Sequence, residues 1–430
     1  GGVRGRAAHA GEAAQPLGRT MKPLSGPGAL AGLRVLDLTM MLSGPYCTML
    51  LADQGADVIK IEPPEGDGTR YSGPFADGDA ARLFGGYFHS INRGKRSLVI
   101  DLKQAAGKAL LQRLVRDADV LVENFRSGVM ERLGLGYELL AGINPRLVYA
   151  AIRGFGDGRN GSSPYEAWPA YDVVAQAMGG IMGITGPDAQ SPMKIGPGVG
   201  DIFPGALNAF AILAAVIHAR ASGEGQFVDV SMTDAILSLC ERIVYQYSYQ
   251  GTVPHPEGNA HPMLCPFGLF RCRDGWVTIA CPRENFWSIL CDEMNRPELV
   301  SHERYRSNMQ RALHRDEVNA EVERWTLRFS KQELVDRLGG KVPFAPVYDV
   351  ADIFADPHFA ARMLVPVEQP GAGRDVVLAG SPIGMSRTPP GIRGRGPLLG
   401  EHAEQVLGEW GLTPAEIAQL RAEGVIQPSR

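Results

Sequence analysis

Two kinds of hydrophobic spacing alternate along the first third of the chain. Short runs rich in Leu, Val and Ile, such as RVLDL at 34–38 and VIKIE at 58–62, are typical of buried strands. The segment KQAAGKALLQRLVRDA at 103–118 instead places apolar residues at intervals of three and four, as one face of a helix requires. Because the two patterns recur as far as RLVYAAIRGFG at 146–156, they predict a parallel sheet with helices on both faces.

The pattern changes after residue 161. A stretch rich in Gly and Pro, GPDAQSPMKIGPGVGD at 186–201, precedes the apolar run FPGALNAFAILAAVIHAR at 203–220, which predicts a buried helix. GQFVDVSM at 225–232 predicts a further strand, and the residues up to 250 predict one long amphipathic helix. A hairpin follows in LFRCRDGWVTIAC at 269–281, with its turn at Asp274-Gly275.

These changes in pattern predict a large α/β domain built from both ends of the chain and a smaller α+β domain between them. We expect the large domain at 21–225, a linker helix at 226–250, the small domain at 251–345 and a return segment of the large domain at 346–430. Residues 1–20 are small, contain Arg and few acids, and directly precede Met21. They are typical of a transit peptide or of an artefactual leader; we favour the leader, which we expect to be disordered or tag-like.

Composition narrows the function classes. A formal net charge of −4 argues against general binding to nucleic acid, and we found no apolar run long enough to span a membrane. Six cysteines are scattered without a CxxC pair, which favours reduced thiols and a cytoplasmic protein. The nine histidines show no metal-binding spacing, so we expect no metal.

Asp201 is the carboxylate that differs most from its sequence surroundings. Gly200 precedes it and an apolar helix follows it, while GxGxxG in a strand-to-helix setting, a P-loop and GxSxG are all missing from the sequence. Asp is a favoured helix N-cap, and this interpretation is sufficient on local sequence alone. The alternative is a partly desolvated nucleophile, with the glycines allowing a bulky reactant to approach.

Seven segments in order resemble the family III coenzyme A transferases, which include formyl-CoA transferase and are related to α-methylacyl-CoA racemase. They are LDLTMMLSGPYCTMLLADQGADVIKIEPPEGD at 36–67, NRGKRSLVIDLK at 92–103, DVLVENFRSGVMERLGLGY at 119–137, YDVVAQAMGG at 171–180, VGDIFPG at 199–205, GEGQFVDVSM at 223–232 and PLLGEHAEQVL at 397–407. The resemblance implies a Rossmann-like large domain and an interlocked homodimer. It also implies that Asp201 is the nucleophile that carries coenzyme A (CoA) as an aspartyl thioester.

The resemblance also implies where CoA binds. The matching positions along CoA are Asn124, Phe125, Arg132 and Arg153, and those at the thioester end are Met40, Leu42 and Ser43. Residues 62–64 are expected near the adenine, and Lys95 and Arg96 near a loop that faces CoA. We expect acyl-CoA and a carboxylic acid as substrates, with no permanently bound cofactor.

Two departures from family patterns bear on the reaction. Formyl-CoA transferases have Gln where this chain has Leu42, which disfavours small dicarboxylates such as oxalate because leucine offers no hydrogen bond. The related racemases have a catalytic histidine where this chain has Tyr171, and an ordinary phenol is a poor base at neutral pH. We therefore predict CoA transfer, with acyl-CoA racemisation and non-catalytic CoA binding as the alternatives.

Overall fold

The computed structural model describes residues 24–79, 82, 84–370 and 372–427. The predicted leader at 1–20 lies outside these residues. The described chain divides into two compact units. Unit 1 takes its described residues from 1–170, 201–232 and 351–430, and unit 2 comprises 171–200 and 233–350.

The strands of the described chain are short. They are β1 Arg34–Asp37, β2 Asp57–Glu62, β3 Arg96–Val99, β4 Val120–Glu123, β5 Val148–Arg153, β6 Phe227–Ser231, β7 Phe267–Cys272, β8 Gly275–Ala280, β9 Phe344–Pro346, β10 Leu364–Glu368 and β11 Asp375–Ala379.

Helices make up most of the remaining regular structure. They are α1 Ser43–Asp53, α2 Gly86–Asn92, α3 Ala105–Val115, α4 Val129–Arg132, α5 Tyr137–Ile143, α6 Asp172–Met178, α7 Val199–Ser222, α8 Met232–Leu239, α9 Ile243–Gln250, α10 Glu284–Glu293, α11 Asn308–Leu313, α12 Arg315–Thr326, α13 Lys331–Leu338, α14 Val350–Ala355, α15 Pro357–Arg362, α16 Ala403–Glu409 and α17 Pro414–Ala422. Short 3₁₀ helices cover Gly68–Tyr71, Ile181–Ile184 and Pro297–Val300.

Unit 1 contains a six-stranded parallel sheet in the order β3-β2-β1-β4-β5-β6. This is the strand order of Rossmann sheets, and it confirms the predicted α/β class. Strands such as β4 are buried along their whole length, which explains why their sequences are continuous apolar runs. Because β1 lies between β2 and β4, the chain leaves the sheet in opposite directions after β1 and β4, which opens a crevice at their carboxyl ends.

The C-terminal residues return to unit 1. Helices α16 and α17 contribute Val406, Leu407 and Ile417 to the core that also holds Leu36 and Leu121 of the sheet. Strands β10 and β11 form a separate antiparallel hairpin. The large unit is therefore built from both ends of the chain.

Unit 2 is a small α+β unit around the antiparallel sheet β7-β8-β9. Its core contains Trp287 and Leu290 of α10, Val277 and Ile279 of β8, and Val322 of α12. The structure also assigns residues 171–200 to unit 2, whereas the sequence pattern suggested that they belong to the large domain.

The predicted linker helix at 226–250 is wrong. The structure has strand β6, then α8, then α9, and the chain turns between the helices at residues 240–242. Neither Gly nor Pro marks this turn, so the local sequence carries no signal for it. Within residues 226–250, Cys240 is the last buried residue, because α9 has no buried side chain.

Helix α7 corrects the statement that no apolar run is long enough to span a membrane. This helix of 24 residues is long and apolar enough to cross a membrane, judged by length and composition alone. Only part of it is buried in the protein. One such helix is weak evidence for a span. Its buried side belongs to unit 1, where Ile212 and Ala215 are almost inaccessible.

Candidate active site

The loop between β1 and α1 is held at the crevice of the unit 1 sheet by one side chain. The Asn124 amide accepts a hydrogen bond from the Met40 N–H (2.9 Å) and donates to the Met40 carbonyl (2.7 Å) and to Ser43 Oγ (3.2 Å). Asn124 follows β4, so it joins the two strand ends at which the sheet order reverses. The structure therefore brings together three of the residues predicted to contact CoA.

Met41, in the same loop, adopts a left-handed backbone conformation. Its φ is +68°, which costs a residue other than glycine on the order of 1–2 kcal/mol. The Met41 side chain is 44 % exposed, whereas Ser43 is buried. Strained, exposed backbone of this kind is concentrated at ligand sites. Leu42 lies at the N-cap position of α1 and is half-buried.

A buried network of charges lies beneath this loop. Lys60 Nζ donates to the Thr39 carbonyl (2.8 Å) and pairs with Asp67 (3.0 Å), and Lys95 pairs with Asp37 (3.0 Å). Burial by itself raises the pKa of Asp37, yet Lys95 and Lys60 hold that pKa below its usual range. The carboxylate is therefore ionised, and the network fixes the loop from below.

Lys95 and Arg96, which were expected near a loop that faces CoA, are both bonded within the protein. Lys95 is 3 % exposed, and its ammonium is fully engaged by Asp37, the Pro45 carbonyl and Asn92. Burial lowers the pKa of Lys95 to about 8, against the attraction of Asp37. Arg96 forms ion pairs with Asp57 and Glu409. A motif alone does not distinguish such pairs from ligand contacts.

Asp201 lies in the first turn of α7. The helix begins at Val199, so Asp201 is not its N-cap. Two other residues of α7 contact α1: a Cβ on Gly205 would lie 2.5 Å from the Ser43 carbonyl oxygen, and Asn208 donates to Cys47 Sγ (3.6 Å).

These contacts fix the height of Asp201 relative to α1. Residues 201, 205 and 208 share one face of α7 because their spacing is four and three. The contacts pair Gly205 with Ser43 and Asn208 with Cys47, so both helices run in the same direction. Asp201 lies one turn before Gly205. It is therefore level with residues 39–42, the loop that precedes α1. This face of α7 directs Asp201 toward the predicted thioester end.

Helix α6 anchors the glycine-rich segment within unit 2. Asp172 Oδ1 accepts from the Gly200 N–H (2.7 Å), and the buried Gln176 accepts from the Ile195 N–H (2.8 Å) while donating to Asp172 (3.0 Å). A Cβ on Gly200 would lie 2.5 Å from the Asp172 carbonyl oxygen. Gly200 is therefore required by packing against α6, and the idea that it lets a reactant approach is wrong.

A cleft of about 230 Å³ follows the carboxyl ends of β1 to β4. It is lined by Met40, Phe125, Glu62, Pro63 and Pro64, all of which the resemblance assigned to CoA. Phe125 is half-buried; it lines the cleft and also packs against the core. The apolar walls suit a flat aromatic group such as adenine.

The two arginines predicted to contact CoA differ in the structure. Arg132 is exposed at the end of α4, and its guanidinium has no hydrogen bond or ion pair to the described residues. Arg153 is 6 % exposed and pairs with Glu123 (2.7 Å) and Asp157. Arg132 is therefore available to a phosphate, whereas Arg153 is occupied within the protein.

Sequence reasoning missed three residues of this region. Asp172 and Gln176 hold the segment before Asp201. Lys103, which lines the cleft, is an exposed cation whose charge contributes to lowering the pKa of the nearby Asp101 carboxyl. Lys103 is the last residue of the segment NRGKRSLVIDLK that resembles the family, so the sequence contained a signal for it. The contact of Asp172 with Gly200 joins residues 28 positions apart and leaves no local pattern.

Comparison with known proteins points to one family. The model of CoA-transferase family III matches residues 30–403. The chain is 50 % identical over 386 residues to the succinyl-CoA:mesaconate CoA-transferase of Haloarcula hispanica, covering 90 % of this chain and 97 % of that protein. It is 40 % identical to the succinate–glutarate CoA-transferase of Agrobacterium fabrum, with 88 % and 95 % covered. The crystal structure of a CAIB/BAIF family protein from Brucella suis superposes with a TM-score of 0.80 at 36 % identity, covering 90 % of this chain and 100 % of that one.

Proposed function

Since this chain is an enzyme that belongs to CoA-transferase family III, we propose that it moves CoA from an acyl-CoA to a free carboxylic acid, with Asp201 as the covalent carrier. The observation that carries the proposal is the face of α7 that Asp201 shares with Gly205 and Asn208. This face packs on α1 and directs the carboxylate toward the loop that Asn124 holds.

The proposed reaction consists of four acyl transfers. The Asp201 carboxylate attacks the thioester carbonyl, CoA leaves as its thiolate, and a mixed anhydride remains. The thiolate then attacks the Asp201 carbonyl carbon, so that the donor acid leaves and an aspartyl-CoA thioester forms. The acceptor carboxylate attacks this thioester and expels the thiolate again. The thiolate finally attacks the acceptor carbonyl, which releases the new acyl-CoA and restores Asp201, with no net gain or loss of protons.

Each transfer needs donors for a developing oxyanion. In the glycine-rich segment before Asp201, the Ile195, Val199 and Gly200 N–H groups are already bonded to Gln176, the Pro197 carbonyl and Asp172. Within the described chain, the segment 195–200 thus leaves the amides of Gly196 and Gly198, which we propose as the donors.

We propose that the adenine end of CoA occupies the cleft lined by Met40, Phe125 and Pro63. The exposed cations Lys103, which lines the cleft, and Arg132, next to the lining residue Leu133, then pair with phosphates. Arg153 supports Glu123 instead of binding CoA in this proposal, because its guanidinium is buried in ion pairs.

For the substrates we propose succinyl-CoA as donor and mesaconate or a similar dicarboxylate as acceptor. The Haloarcula relative is named for these two compounds and is 50 % identical over nearly its whole length. Leu42 is consistent with this choice, because an apolar side chain favours an acid with additional carbon over oxalate.

The two alternative functions have less support. Tyr171, at the position of the racemase histidine, is 65 % exposed, and tyrosine is a poor replacement for a histidine base. A non-catalytic CoA-binding role would leave unexplained why α1 packs against the face of α7 that carries Asp201.

We further propose that the active enzyme is a homodimer. One face of α7 carries Phe203, Leu207, Phe210, Ala214 and Ile217, at the alternating spacing of four and three that two paired helices use. Phe210 is 72 % exposed and Ile217 is 70 % exposed. A face of this kind is suited to a second copy of the same chain.

The experiment for the proposed activity crosses succinyl-CoA with mesaconate, glutarate, oxalate and formate as acceptors, with new acyl-CoA measured by mass spectrometry. We expect kcat/KM for mesaconate to exceed that for oxalate at least about tenfold, the ratio that ~1.4 kcal/mol of apolar burial gives. A preference for oxalate or formate would contradict the substrate proposal. CoA binding without any exchange, or solvent deuterium entering the α-carbon without an acceptor, would favour the alternatives.

A further inference from the structure

Unit 1 contains a second cavity, with a volume of about 570 Å³. It lies between the start of α2 and the hairpin of β10 and β11, and its walls include Phe75, Phe84 and Leu378. Neither Asp201 nor Met40 and Phe125 are among the described residues that line it. The volume lies within the ~300–1,000 Å³ typical of small-molecule sites.

Two residues in the wall of this cavity each have a buried polar atom with no hydrogen-bond partner among the described residues. The atoms are His89 Nε2 and Gln369 Oε1, on side chains that belong to residues only 1 % and 5 % exposed. Both flank Phe84, whose ring lies 4.8 Å from the imidazole and whose carbonyl accepts from the Gln369 amide (3.4 Å). An unmet buried polar atom destabilises the protein, so a bound group that met both atoms would remove that cost.

The charges around the cavity favour an anion. Arg374 lines it, is exposed, and has no hydrogen bond or ion pair to the part of the chain that the structure describes. Burial, together with the positive charges of Arg395 and Arg93, lowers the pKa of His89 to about 4. The imidazole is therefore neutral at pH 7, with one nitrogen that donates and one that accepts. No Asp or Glu is among the described lining residues.

We propose that this cavity binds a small carboxylic acid that carries a hydroxyl group on an apolar body. The carboxylate pairs with Arg374. The hydroxyl donates to Gln369 Oε1 and accepts a hydrogen bond from His89 Nε2. The apolar body packs against Phe75, Phe84 and Leu378. The inference is independent of the proposed transfer reaction, because the two sites share no described lining residue.

Three probes separate the contributions of these groups. Calorimetry on the full chain without acyl-CoA would compare 3-phenyllactate with 3-phenylpropionate, which lacks the hydroxyl, and 2-phenylethanol, which lacks the carboxylate. We expect 3-phenyllactate to bind at least about tenfold more tightly than either, because a site built to bond a polar group rejects ligands that lack it. Equal affinities for the three probes, or no binding, would overturn the proposal.

Variants assign the groups to residues. Arg374→Ala should weaken 3-phenyllactate at least about tenfold and leave 2-phenylethanol unchanged, while Gln369→Leu should remove the preference over 3-phenylpropionate. Arg116→Ala is the matched control, since Arg116 is also exposed and lacks a partner among the described residues but lines a different cavity. Arg374 is exposed, so its variant tests the proposal even if Gln369→Leu fails to fold.

Asp201→Asn distinguishes this site from the transfer site. The variant should bind 3-phenyllactate within about twofold of the wild type, whether or not Asp201 carries CoA, since Asp201 does not line the cavity. A larger change in affinity would put the acid at the transfer site and overturn the proposal of a separate cavity, as would an Arg374→Ala variant with wild-type affinity.

Discussion

Asn124 has a structural role that its motif does not reveal. The resemblance assigned it to CoA binding, and the structure shows that its amide bonds the backbone of Met40 on both sides and reaches Ser43. It therefore shapes the loop whether or not it also touches CoA. In the same way, Arg153 matched a family contact and is held in buried ion pairs.

Asn124→Ala should reduce kcat/KM at least about tenfold, because the loop at the proposed thioester end loses three hydrogen bonds, each worth about 0.5–1.5 kcal/mol. Asn144→Ala is the matched control. Asn144 also bonds three backbone groups, at Val115, Ala118 and Arg146, but it lies before β5, at the amino-terminal ends of the parallel strands. Denaturation and steady-state kinetics should show similar losses of stability for both variants and a loss of activity only for Asn124→Ala. Equal kinetics would contradict the role of the loop.

At the scale of elements, the packing of α7 on α1 links the fold to the site. Gly205 lets the two helices approach so closely that a methyl group would meet the Ser43 backbone. Because this contact lies one turn from Asp201, a displacement of α7 also displaces the carboxylate.

Gly205→Ala should therefore destabilise the protein by about 1–3 kcal/mol and reduce the transfer rate. Gly408→Ala in α16 is the control, because a Cβ there meets no atom within 4 Å and alanine is the better helix former by up to ~1 kcal/mol. Thermal unfolding and rate measurements should give opposite signs of the stability change for the two variants. A Gly205→Ala protein with wild-type stability and rate would show that the packing does not position Asp201.

The sequence predicted the presence of helices and strands better than the residues at which they end and the contacts between them. Strands β1 to β5 were recognisable because parallel strands are buried on both faces and read as apolar runs. The turn at 240–242 was not, because no Gly or Pro marks it. Asp201 itself was found, but the anchoring of its segment by Asp172 and Gln176, and the burial of Lys95, depend on contacts between distant residues.

At the scale of the whole molecule, the outer face of α7 remains exposed in a single chain. Its apolar residues at spacing four and three account both for its membrane-like composition and for the proposed pairing with a second copy. The inner face is accounted for by unit 1, through Gly205, Asn208 and Ile212.

Sedimentation should find a dimer for the wild type and a monomer for Phe210→Lys combined with Ile217→Lys, because two charges on each helix disrupt an apolar contact. Met309→Lys serves as the control, since Met309 is 68 % exposed but belongs to α11 of unit 2 and not to α7. Circular dichroism should confirm that the variants are folded. A monomeric wild type, or a dimer that tolerates the double substitution, would contradict the proposed interface.

The central claim, that Asp201 carries CoA, has a direct chemical test. Borohydride reduces an aspartyl thioester to an alcohol, and tryptic cleavage after Lys194 and Arg220 gives a peptide of residues 195–220 in which Asp201 is the one acidic side chain. Mass spectrometry of this peptide, after the active enzyme has been treated with succinyl-CoA and then borohydride, should show reduction at Asp201, and samples without acyl-CoA should show none. An unmodified peptide from enzyme that still transfers CoA, with reduction found at another carboxylate, would contradict the account.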